Sequence, residues 1–111
     1  MIKKIKIPIF FGTLVLFQNY DIKKACKIAN FDYDPNNTFD GYSGTNTDRD
    51  GHFGYIIIFD KCDASIISHE AVHIAHRILN RNGIEKDEEL IAYLTGWITA
   101  QCCKYLNVTN K

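Results

Sequence analysis

Apolar residues in this chain recur at helical spacing in its second half and in short strand-like runs in its first half. From Ile66 to Leu79, the residues Ile67, Ala71, Ile74 and Ile78 fall on one stripe at the 3.6-residue period, which predicts a helix. Asp63 or Ser65 can cap its start, and Asn80, Asn82 and Gly83 can close it. A second helix is predicted from about Glu88 to Tyr105, capped by Asp87, with Ile91, Leu94, Trp97, Ile98 and Cys102 as its apolar stripe. A short helix from Ile22 to Ala29 turns Ile22, Ala25, Cys26 and Ala29 inward and leaves Lys23, Lys24 and Lys27 as a solvated face; Asn19 and Asp21 can cap it.

Strand signals are concentrated in two places. Gly54 to Asp60 is a nearly continuous apolar run, and Met1 to Phe17 reads as one strand or as two short ones bent at Pro8 or Gly12. Between them, Asp32 to Gly54 is polar and rich in turn residues. Within it, Asn46 to Gly51 matches the first half of a calcium-binding loop. The twelfth position, however, is Ile57, where that loop needs a bidentate Glu, so a hairpin turn at Asp50-Gly51 is the better reading. These elements predict a single α+β domain. A small twisted sheet of three to four strands from the N-terminal half packs against the two long helices, with the lysine-rich helix alongside.

Composition narrows the function. The chain has 111 residues, 46% hydrophobic and 23% charged, which suits one globular domain with one modest core. Its formal net charge is +0, and beyond Lys3, Lys4 and Lys6 at the start and the solvated lysines of the short helix no basic stripe appears, so no nucleic-acid partner is expected. Cys26, Cys62, Cys102 and Cys103 form no CxxC pair, which argues for reduced thiols and a cytoplasmic protein rather than a zinc ribbon or a disulfide framework. The apolar run after the first lysines is interrupted by Lys6, Pro8 and Gly12 and is too short to span a bilayer. Neither a signal peptide nor a membrane partner is therefore expected.

The chemistry lies in the first long helix. His69-Glu70-Ala71-Val72-His73 is an HExxH sequence, and residues four apart on a helix present their side chains one above the other. Two imidazoles so placed suit a tetrahedral zinc ion, while Glu70, about 100° round the helix, can reach a metal-held water without being a ligand. A catalytic zinc needs a third protein ligand. Glu89 lies in line with Tyr93, Gly96 and Ala100 on the last helix, and small residues at Gly96 and Ala100 would let the two helices approach closely enough for its carboxylate to meet the metal. Glu88 and Glu85 are weaker candidates. His76 is open to three readings: an outer partner of the site, an alternative ligand or a surface residue.

His69 to His73 followed by Glu89-Leu90-Ile91-Ala92-Tyr93-Leu94 resembles the gluzincin group of zinc metallopeptidases, and most of all the very small zincin-like peptidases of bacteriophages and mobile elements. The resemblance covers roughly Tyr55 to Trp97. It implies a minimal zincin-like fold with His69, His73 and Glu89 as zinc ligands, Glu70 as general base, and a peptide or protein as substrate. The chain departs from thermolysin-like enzymes in lacking their large C-terminal domain, and from metzincins in having His76 where their glycine falls.

Zinc so held would bring the pKa of its water toward about 7. Glu70 would take that water's proton and pass it to the leaving amine. Tyr93 or His52 would assist the oxyanion, and substrate backbone would pair with the Tyr55 to Phe59 strand if that strand is an edge. Two rivals stand beside this reading: a zinc-binding interaction module without turnover, and a metal-free domain in which HExxH is accidental. The sequence says nothing of oligomeric state.

Overall fold

Four strands and three helices follow one another as β1 (Ile2–Lys6), β2 (Thr13–Gln18), α1 (Ile22–Ala29), β3 (Gly41–Thr47), β4 (Phe53–Phe59), α2 (Ala64–Arg81) and α3 (Glu88–Tyr105). The structure is a computed structural model, and it describes residues 1–36, 40–47, 53–85 and 87–109. The Asp50-Gly51 turn, the calcium-loop match and His52 lie outside the described residues.

The sheet has the order β1-β2-β4-β3 and is mixed. β1 pairs antiparallel with β2, β2 runs parallel to β4, and β3 pairs antiparallel with β4 from Gly41 opposite Phe59 to Thr47 opposite Phe53. The central pair is the most apolar. Leu14, Leu16, Tyr55, Ile57 and Phe59 point to one face, where they join Ile67, Ala71, Ile74 and Ile78 of α2 and Leu94, Ile98 and Cys102 of α3 in the main core. Phe17, Ile56 and Ile58 point to the other face and pack against Ala25, Cys26 and Ala29 of α1. Period-two alternation thus splits the two central strands between two cores, which is why their runs are apolar throughout. Among the described residues no helix is long and apolar enough to cross a membrane.

The caps act as the sequence signals indicate. The side chains of Asp21, Asp63 and Asp87 accept from the backbone N–H of Lys24, Ile66 and Leu90, closing the first turns of α1, α2 and α3. α2 ends at Asn82, and Gly83 follows with φ +74°, the left-handed conformation that glycine adopts without strain.

Two expectations need correction. The segment before β4, read only as polar and turn-rich with a hairpin turn near its end, supplies a full seven-residue strand, β3. β4 is also not an edge: β2 and β3 occupy both its sides, and the edge strands are β1 and β3.

Candidate functional site

The site forms where the first turns of α2 meet the start of β3. Asp40 holds that junction: its carbonyl accepts from the backbone N–H of both Asp60 (2.9 Å) and Lys61 (3.0 Å), which ties the entry of β3 to the turn leading into α2. Its carboxylate stands 3.7 Å from Lys61 Nζ on the surface. Gly41 then brings backbone directly against α2. A Cβ at that position would lie 3.0 Å from Glu70 Cγ and 3.2 Å from Ile66 Cγ2.

Between the two elements lies a cavity of about 500 Å³ lined by Asp40 to Ser43 on one side and by Ser65, Ile66, His69, Glu70, His73 and Arg77 on the other. The apolar stripe of α2 anchors this geometry. With Ile67, Ala71, Ile74 and Ile78 packed on the sheet, His69 and His73 are turned out to solvent. Their Nε2 atoms converge to 3.2 Å, with ring centroids 4.8 Å apart and ring planes at 79°. Two imidazole nitrogens bound at about 2.05 Å to one tetrahedral ion stand about 3.3 Å apart. The pair therefore fits two corners of such a shell. The same separation suits an imidazole–imidazole hydrogen bond in which one ring carries its proton on Nε2.

Glu70 is the exception on the buried side of α2. It is only 5% exposed, and its Oε2 is buried with no hydrogen-bond partner among the described residues. Nearly all buried carboxylate oxygens are paired, because an unpaired one loses its water without compensation. The buried acid and its orphaned oxygen lie on the wall of the cavity that both imidazoles line, which makes Glu70 the candidate for a chemical role there.

The remaining expected residues lie elsewhere. Glu89 is exposed on the first turn of α3, and the residues in line with it are exposed too: Tyr93, Gly96 and Ala100. A Cβ at Gly96 would meet nothing within 4 Å, so the close helix approach expected through Gly96 and Ala100 does not occur. α3 instead turns Leu94, Ile98 and Cys102 inward, which sends the Glu89 line to solvent. Among the described residues, no group of three His, Cys, Asp or Glu side chains is gathered closely enough to hold a metal ion. Glu88 and Glu85 are exposed, as is His76, which does not line the cavity.

Apart from His69, Glu70 and His73, the lining residues are not among the site residues expected from the sequence. Arg77 had a readable signal, since it continues the His69, His73 series by one more turn. Asp40 and Gly41 had none, because only the fold of β3 brings them to α2. No protein-family model matches the chain, and neither a curated protein nor a solved structure matches it.

Proposed function

We propose that this protein is a zinc-dependent hydrolase of peptide bonds, with His69 and His73 as metal ligands and Glu70 as general base. One observation carries the reading: two imidazole Nε2 atoms 3.2 Å apart share a cavity with a buried glutamate whose Oε2 has no partner among the described residues. When bound, zinc acidifies its water and polarises a carbonyl.

The chain's own groups do the rest. Glu70, held between Gly41 and the α2 backbone, is confined to the cavity wall and receives the water's proton there. Its desolvated surroundings strengthen each charge interaction it makes with a substrate. β3 is the edge strand beside the cavity, and Gly41 to Ser43 line it, so an extended substrate would pair with β3 rather than with β4. Two carboxylates compete to be the third ligand. Glu89 is favoured by the resemblance but stands on the solvent face of α3, whereas Asp40 shares the cavity with the imidazoles.

A second reading, a zinc-binding interaction module without turnover, is favoured by the exposure of both imidazoles and by the absence of a gathered third acid among the described residues. Zinc stoichiometry and casein cleavage, measured together, test both. The hydrolase reading expects one zinc per chain, lost in His69→Ala and His73→Ala, and cleavage abolished in Glu70→Gln with zinc retained. Zinc binding without cleavage in the native chain selects the module, and absence of zinc binding rejects both. Comparing the zinc affinities of Glu89→Gln and Asp40→Asn identifies the third ligand.

A further inference from the structure

The β1–β2 turn carries two large apolar side chains that nothing described covers. Ile9 is 88% exposed and Phe11 is 87% exposed, while their neighbours Ile7 and Phe10 turn back into the main core. The backbone is shaped to hold this alternation. Ile7 N–H donates to the Gly12 carbonyl, and Phe10 N–H donates to the Pro8 carbonyl at 2.7 Å, closing a three-residue turn centred on Ile9. Ile9 takes φ +69°, a conformation that is strained for a β-branched residue and that glycine would adopt freely. Strain of this kind persists where the surroundings impose it, and its result here is to aim two apolar side chains outward from a hairpin tip.

Charge identifies what such a tip would meet. The first 20 residues contain Lys3, Lys4 and Lys6 and no Asp or Glu, in a chain whose formal net charge is +0. Lys3 lies over the Tyr105 ring at 4.2 Å, but Lys4 and Lys6 are exposed on β1 beside the tip. Lysines on an edge strand also discourage strand-to-strand aggregation, yet that role does not account for Ile9 and Phe11.

From this combination we propose that the β1–β2 tip is a membrane-docking element. Ile9 and Phe11 enter the interfacial region of an anionic bilayer while Lys4 and Lys6 contact its headgroups. The sequence expectation of no membrane partner rests on an apolar run too short to span a bilayer, and that length does not bear on peripheral docking. The tip adjoins Thr13, which pairs with Gly54 at the beginning of β4, whereas the cavity lies where Gly41 pairs with Phe59 at its end and on the opposite edge strand. Docking and cavity thus occupy diagonal corners of the sheet, and a docked protein keeps the cavity open to solution.

Co-sedimentation of the full chain with vesicles of phosphatidylcholine, alone or with added phosphatidylglycerol, tests the proposal. Binding is expected only to the phosphatidylglycerol vesicles and should weaken as salt is raised. Each lysine removed in Lys4→Ala and Lys6→Ala should reduce it about fivefold, and Ile9→Ser and Phe11→Ser should each reduce it about tenfold or more, with unchanged circular dichroism. The proposal is overturned if the native chain binds neither vesicle, or if the Ile9→Ser/Phe11→Ser double variant binds as well as native. It is also overturned if that double variant dissociates a dimer that ignores vesicles, which would make the tip a contact between copies.

Discussion

Gly41 and Glu70 stand so close that a Cβ on the strand residue would come within 3.0 Å of the glutamate's Cγ and 3.3 Å of its carboxyl carbon. The absence of one side chain on β3 therefore sets the position of the buried acid on α2. Gly41→Ala is expected to push Glu70 off the cavity wall and to cost about 1–3 kcal/mol, the usual range for overpacking a closely packed contact. Urea unfolding measures the loss. A variant of native stability would mean that Glu70 has room to move and that its position is not fixed from the strand side.

Glu70 itself should be a liability to the fold. It is 5% exposed and leaves Oε2 without a partner among the described residues. Glu70→Met, which keeps a similar volume and removes the buried charge, should stabilise the metal-free protein by about 1–3 kcal/mol while abolishing any cleavage. Equilibrium unfolding in urea with a chelator present reads this directly. A destabilised Glu70→Met protein would show that the carboxylate holds the structure together and would weaken its assignment as a base.

The helices were legible because their signals are local and redundant. Asp87 caps α3 as expected, Asp63 rather than Ser65 caps α2, and the predicted stripe residues Ile67, Ala71, Ile74 and Ile78 are all buried. β3 was not legible, because Gly41-Tyr42-Ser43-Gly44-Thr45-Asn46-Thr47 has the composition of a loop. Its place in the sheet depends on long-range contacts: Gly44 lies under the Phe31 ring, where a Cβ would come 2.7 Å from Cζ, and Asn46 Nδ2 donates to the Ala29 carbonyl at 2.8 Å. The His69, Glu70 and His73 cluster could be read because one helix carries all three. Reading Glu89 required knowing which way α3 faces. Small residues at Gly96 and Ala100 fit a helix contact and a bare solvent face equally well, and the competing stripe of Leu94, Ile98 and Cys102 decides it.

If His69 and His73 hold zinc as proposed, the metal should act as a stabilising ligand. A metal that binds only the folded chain adds about 2.7 kcal/mol at a free concentration 100-fold above its Kd, enough to raise the Tm of a domain this size by roughly 10 °C. The native protein should show that rise with zinc, and both His69→Ala and His73→Ala should lose it, since neither Nε2 alone closes the 3.2 Å pair. Equal rises in native and variant proteins would locate the metal away from this helix.

The thiols give the fold an alkaline limit. Burial raises Cys62 to about 11, with the neighbouring Cys103 and Asp63 adding to the effect, and burial raises Cys102 to about 12, with Cys62 and Cys103 adding to it. In the unfolded chain these groups titrate near their ordinary value of 9.0. Between the two ranges the folded state holds more protons than the unfolded state, so stability falls as pH rises, beginning near pH 9 and continuing through pH 11 to 12. The same burial restricts reactivity, because the thiolate is the nucleophile. At pH 8, iodoacetamide should label exposed Cys103 rapidly in the native protein, with Cys26, Cys62 and Cys102 reacting only after denaturation. Mass spectrometry of labelled peptides, paired with urea midpoints measured from pH 8 to 11, checks both parts. Rapid native labelling of Cys102, or midpoints that do not fall across that range, would show that the junction between α3 and the start of α2 is open to solvent.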